Sequence, residues 1–263
     1  MKLVIDVGNT RIKWARIEHG RLEGKGSAVH RGAFDEALAS LAAAVPDGLT
    51  GAIVANVAGE AVAARLTETL RSRAGVTPEL VAVRAEELGV RCAYADPARL
   101  GVDRWIAVLA AHHSAPGVAC VVDAGTAATF DAVDARGRHL GGLIMPGPRL
   151  LAAALDRNTS DIGATTAVEA VPRGLDLLGN TTDAAVGHGS WLALAAAIDR
   201  AVATVEAALR EKATVYLTGG DASALRGWLE TEVELRADLV LEGLALFSRS
   251  ASDLRSSPKG THA

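Results

Sequence analysis

The hydrophobic positions of this 263-residue chain change period repeatedly along its length. "KLVIDV" (2–7) and "IKWARIEH" (12–19) read as strands, whereas "FDEALASLAAAV" brings Phe34, Leu38, Leu41 and Val45 round at helical spacing. "GAIVANV" (51–57) is a further strand, "EAVAARLTETLRSRA" (60–74) an amphipathic helix and "ELVAV" (79–83) another strand. "RWIAVLAAHH" from Arg104 begins a helix, "GVACVVDAG" from Gly117 is a strand, and "TVYLTGGDASAL" from Thr214 runs from strand through a glycine turn into a helix. Strands alternating with helices predict an α/β fold.

The strand at Gly117 repeats the first one. At a constant offset of 117 residues, Val4 matches Val121, Asp6 matches Asp123, Gly8 matches Gly125 and Ala15 matches Ala132. Gly20, Arg21 and Gly24 likewise match Gly137, Arg138 and Gly141, giving seven identities from Val4 to Gly24 without a gap. The pattern predicts two duplicated halves, 1–115 and 116–250, with a cleft between them where strand ends meet a ligand. A polar, aperiodic tail is expected over 251–263.

Composition narrows the partners. Apolar residues make up 49% and charged residues 22%, as in globular proteins, and the net charge of −4 comes with no long basic run. Nucleic acid and membrane surfaces are therefore not expected as partners, and a small ligand is. Cys92 and Cys120 lack metal or disulfide spacing and suit a reducing cytoplasm, and no signal peptide or membrane span is legible.

The chemistry concentrates where apolar strands meet acids. Asp6 is costly to bury without a partner, yet it ends the strand "LVIDV" and opens "DVGNT". There Gly8 permits a tight turn whose backbone N–H groups can face an anion, with Asn9 and Thr10 adding side-chain hydrogen bonds; "DAGTA" offers Gly125 and Thr126 likewise. One such motif is equally an ordinary Asx turn, but two in register suit a grip on a polyphosphate. Asp6 and Asp123 beside phosphate imply a cation, directly or through water. Lys13 either touches phosphate or faces solvent. In "YADPARLGVDRW", Asp103 lies near a helix N-terminus with Arg104 in its first turn; it serves as a cap, as an acceptor of a hydroxyl proton, or as both. Gly219 and Gly220 allow close approach of an adenine ring or simply join strand to helix, and of Thr181 and Thr182 one can cap a helix while the other faces a ligand. "GRLEGKGS" fails as a phosphate loop of the Walker type, because its glycines are one residue too close and glycine follows the lysine.

The ordered motifs "DVGNTRIK", "YADPARLGVDRW", "DAGTAATFD", "GGLIMPG", "GNTTDAAVGHG" and "TGGD" give the chain a family likeness. From residue 3 to about 247 it resembles the type III pantothenate kinases, also named Bvg accessory factor proteins. The resemblance implies duplicated ribonuclease-H-like halves of the actin, Hsp70 and sugar kinase superfamily. It also implies ATP-dependent phosphorylation of pantothenate to 4'-phosphopantothenate, which opens coenzyme A biosynthesis, in a cytoplasmic homodimer. By this likeness Asp6, Val7, Gly8, Asn9, Thr10, Arg11, Ile12, Lys13 and Thr126 bind ATP with Mg²⁺, and Asp6 contacts the magnesium through water. Asp123 holds a monovalent cation, K⁺ or NH₄⁺. Asp103 is the catalytic proton acceptor, and Tyr94, Gly101, Val102, Asp103, Arg104 and Thr182 contact pantothenate. The rival expectations are a kinase of another small alcohol and a non-catalytic ATP-binding regulatory protein.

Overall fold

The computed structural model describes residues 1–158, 162 and 171–248. The expected tail at 251–263 lies outside the described residues. The chain divides into two compact units, Met1–Ser114 together with the segment from Asp238, and Ala115–Ala237.

The first unit opens with β1 (Lys2–Val7), β2 (Arg11–Glu18) and β3 (Arg21–Val29), an antiparallel meander. Then come α1 (Phe34–Ala44), β4 (Gly51–Asn56), α2 (Glu60–Ala74) and the two-residue β5 (Glu79–Leu80). The sheet order is β3-β2-β1-β4-β5, with β4 parallel to both β1 and β5. Because β1 and β4 are central, their residues read as continuous apolar runs, and Leu3, Ile5 and Val54 join Leu38, Leu41, Leu66 and Leu70 of the helices in one core. A small hairpin, β6 (Glu86–Glu87) and β7 (Val90–Arg91), leads to α3 (Val102–Ser114). The expected strand "ELVAV" shrinks to Glu79–Leu80, since at the sheet edge only one neighbour holds it.

The second unit repeats the plan with β8 (Val118–Ala124), β9 (Ala127–Val133), β10 (His139–Pro146), α4 (Pro148–Asn158), α5 (Thr182–Leu209), β11 (Ala213–Thr218), α6 (Ala222–Arg226) and β12 (Glu234–Leu235). Its sheet order, β10-β9-β8-β11-β12, and its strand directions are those of the first sheet. Cys120, Val122 and Phe130 pack with Trp191, Leu194 and Ile198 of α5 in its core. The last described helix, α7 (Leu239–Leu246), packs on α3 and β1, so it belongs to the first unit although the sequence reading placed it in the second half.

The strand registers amend the gapless repeat. Asp6 pairs with Lys13 but Asp123 pairs with Thr129, so the turn after β8 is one residue shorter than the turn after β1. Thr126 corresponds to Thr10, and Asn9 has no counterpart. The longer connection from β9 to β10 restores the offset, and Gly24 and Gly141, both at positive φ, then fall at a bulge in each unit. The identity of Ala15 with Ala132 lies between the two shifts and is coincidental, for Ala15 pairs with Val4 while Ala132 pairs with Cys120.

Candidate functional site

In the first unit, Asp6, next to last in β1, stands directly opposite Lys13, which puts both side chains on the same face of the sheet. Val7 and Ile12 are buried beneath the turn, and Gly8, Asn9, Thr10 and Arg11 form it. The Gly8 N–H donates to the Arg11 carbonyl at 3.0 Å. Gly8 lies outside the left-handed region, and a Cβ there would meet Arg11 O at an ordinary 3.5 Å. The turn itself therefore does not require this glycine, contrary to the sequence argument. Its effect is to leave the backbone uncovered.

One participant escaped sequence reasoning. His30, following β3 and only 7% exposed, donates its own N–H to the Thr10 carbonyl at 2.9 Å, and its ring Nε2 lies 2.6 Å from the Gly8 carbonyl oxygen. A solitary histidine twenty residues downstream carries no motif, and its only sequence signal is that the 117-residue offset lands on Gly147.

The second cluster of this unit surrounds the start of α3. Gly101 accepts the first helical hydrogen bond, from Trp105 N–H at 3.0 Å, so Val102, Asp103 and Arg104 form the first turn. The Asp103 Oδ1 accepts the Arg104 N–H at 2.8 Å. A Cβ on Gly101 would stand 2.6 Å from that oxygen, so a side chain there would displace the Asp103 carboxylate from its present position. Arg104, 8% exposed, donates Nη1 to the Tyr94 hydroxyl at 3.2 Å, and its guanidinium carbon lies 6.0 Å from the centre of the Tyr94 ring. A buried guanidinium oriented by a phenol is suited to receive a carboxylate.

In the second unit, Asp123 stands opposite Thr129 on one neighbouring strand and Thr218 on the other. Gly219, at φ +100°, brings the strand-to-helix loop so close that a Cβ would collide with the Ala124 carbonyl oxygen and Asp123 Oδ1. Asp221 donates its N–H to the same Ala124 carbonyl at 2.9 Å, and its carboxylate receives Arg149 Nη2 at 2.7 and 2.8 Å. Gly147 donates its N–H to the Thr126 carbonyl at 3.0 Å. A Cβ on Gly147 would collide with the Gly125 carbonyl oxygen, so "MPG" and "TGGD" are both places where backbone meets backbone. Thr181 caps α5, its hydroxyl accepting the Ala184 N–H at 3.2 Å, and Thr182 is the exposed first residue of the helix.

Among the described residues no three carboxylate, histidine or cysteine side chains gather as a metal cage. Single carboxylates near strand ends fit a different use. Mg²⁺ is commonly held by one or two carboxylates plus substrate phosphates and water, and the Asp6 carboxylate next to the Gly8–Arg11 turn suits that donor chemistry.

Comparison with known proteins converges on one group. The family model described as type III pantothenate kinase matches residues 2–204. A type III pantothenate kinase from Nitrosococcus oceani is 36% identical over 260 residues, covering 97% of this chain and 96% of its own. Another from Chromobacterium violaceum is 39% identical over 249 residues, covering 93% and 98%. Among solved structures, the activator of the 2-hydroxyisocaproyl-CoA dehydratase from Clostridium difficile, with bound ADPNP, superposes with a TM-score of 0.51 at 12% identity, covering 98% of this chain and 97% of that one. The two like-ordered sheets of this chain thus share their fold with that activator. With the match running from the first strand into the long helix α5, and with near full-length relatives, the chain belongs to the type III pantothenate kinase family.

Proposed function

We propose that this protein transfers the γ-phosphoryl group of ATP to the primary hydroxyl of pantothenate, yielding 4'-phosphopantothenate and ADP at the entry to coenzyme A biosynthesis. The observation that carries this reading is near full-length likeness to type III pantothenate kinases, joined to an acid-and-glycine turn at the end of the first strand of each sheet. The hydroxyl oxygen attacks the γ-phosphorus as the bond to the β-phosphate oxygen breaks. Asp103 takes the hydroxyl proton and ADP leaves with the electron pair. A loose transition state asks the protein mainly to position reactants and neutralise charge, which suits a site of turns, cations and carboxylates.

In this assignment Asp6 to Lys13 and Thr126 hold the ATP phosphates, with Asp6 reaching Mg²⁺ through water. Magnesium, when bound, neutralises charge on the phosphates. Tyr94, Gly101 to Arg104 and Thr182 hold pantothenate, whose carboxylate fits the Arg104 guanidinium. Asp123 holds K⁺ or NH₄⁺. Supporting this last role, Asp123 stands opposite Thr129 and Thr218 in the sheet, residues that carry hydroxyl oxygens, where Asp6 stands opposite Lys13. A homodimer is proposed on the edge strand β10, where Leu143 and the 67% exposed Ile144 present apolar surface that a second copy would cover. A monomer mass by light scattering removes that pairing. ATP use and two free cysteines favour a cytoplasmic setting.

The decisive experiment follows ADP release with and without pantothenate, in potassium and in sodium. Release that depends on both pantothenate and potassium is expected; pantothenate-independent release sinks the kinase reading, and indifference to potassium sinks the role of Asp123. Asp103→Asn should lower kcat by about 10²- to 10⁴-fold while ATP affinity stays near normal. Near-normal turnover in that variant removes Asp103 as the proton acceptor.

A further inference from the structure

We propose that His30 is a positioning residue of the first phosphate-binding turn, fixing the direction of a main-chain N–H that the second turn lacks; the inference rests on the reading that Asp6 to Lys13 hold the ATP phosphates. The two units supply a comparison. In each, the residue just after the third strand donates its N–H to the threonine carbonyl of the turn: His30 to Thr10 at 2.9 Å and Gly147 to Thr126 at 3.0 Å. In the second unit the turn is short and its glycine carbonyl, that of Gly125, presses so closely on Gly147 that no side chain fits. In the first unit the extra residue, Asn9, opens the turn, and the imidazole of His30 reaches the corresponding carbonyl of Gly8 at 2.6 Å.

A carbonyl oxygen cannot donate, so Nε2 carries the proton in this contact. Gly8 C=O and Asn9 N–H belong to one peptide plane, and no cis bond occurs among the described residues. Anchoring the carbonyl towards His30 therefore aims the Asn9 N–H to the opposite side. Asn9, which carries that N–H, is an exposed residue of the turn. The imidazole is itself held in place. It meets the Phe34 ring edge-on at 5.8 Å, and the Arg65 guanidinium lies over that same ring, 4.8 Å from its centre. A donor held in this way keeps the amide aimed before nucleotide arrives, so binding need not order it.

His30→Leu keeps the bulk and removes the donor, whereas His30→Gln places an amide N–H at the reach of Nε2. The leucine variant should raise the KM for MgATP and weaken ADP affinity, measured by calorimetry, by roughly three- to tenfold, the effect of one neutral hydrogen bond. The KM for pantothenate should stay unchanged, and glutamine should recover most of the loss. Thr10→Ala serves as the reference for the turn. If it weakens MgATP while His30→Leu does not, the positioning role fails and the phosphate reading stands; if Thr10→Ala leaves MgATP binding intact, both fail. Equal loss for MgATP and pantothenate, or no recovery with glutamine, also overturns the role. The wild-type imidazole ¹⁵N spectrum gives a check that needs no substitution: a protonated Nε2 supports the contact, and a bare Nε2 overturns it.

Discussion

Cys120 stands in the middle of β8 with no exposed surface, and burial, aided by the charge of Glu206, pushes its thiol from an ordinary 9.0 up to about 12. Above pH 9 an unfolded chain releases this proton while the native chain retains it, so the unfolded state binds fewer protons and stability falls as pH rises from 9 towards 12. Thermal unfolding between about pH 8 and 10 should show the start of that decline, and Cys120→Ala should flatten it; an unchanged slope in the variant removes the thiol as its source. Individual residues were unevenly legible. Asp6, Asp103 and Asp123 stand out in sequence because an acid beside an apolar run needs a reason. His30 does not, because both hydrogen bonds it donates go to carbonyls, and backbone leaves no trace in composition. Gly219 and Gly147 were visible as glycines, but which oxygens they make room for became apparent only in the folded chain.

At the level of elements, the strands that carry the turns were the most legible part of the chain. β1, β4 and β8 are buried on both faces, so their apolar runs are unbroken and their ends are marked by Asp6, Asn56 and Asp123. Edge elements were not, since β5 and β12 have two residues each and are held by single ladders. Turn length was hidden too: one residue lost in the first connection is regained in the second, so a gapless comparison looks better than the structures it joins. The contact between α3 and α7 depends on Gly243, where a Cβ would collide with the Ile106 carbonyl oxygen. Gly243→Val should cost about 1–3 kcal/mol through forced separation of these helices, read as a lower melting temperature. A melting temperature equal to wild type would mean that the helices are not held this closely.

Across the whole molecule, the sequence revealed duplication but not where the final helix goes. Leu239, Val240, Leu241, Gly243, Leu244, Ala245 and Leu246 are all buried, so α7 has no polar face to indicate which core it joins. It joins the first unit, packing on α3 and on the strands β1 to β4. At about 1.5–3 kcal/mol for each large apolar side chain buried, losing five of them rivals the roughly 5–15 kcal/mol that typically holds a domain together. A chain ending at Ala237 should therefore unfold its first unit selectively. Trp14 and Trp105 report on that unit and Trp191 and Trp228 on the other, so fluorescence of single-tryptophan variants checks the outcome. Native-like emission from Trp105 in the shortened chain would refute it.

The placement of α7 also sets a timetable for biosynthesis. Once translation has passed Ala237 the segment Ala115–Ala237 has every strand it needs, yet the earlier-made unit still awaits its closing helix. The half encoded first is finished last, and a nascent polypeptide halted before Asp238 holds all the segments of one unit while the other still lacks a buried apolar helix.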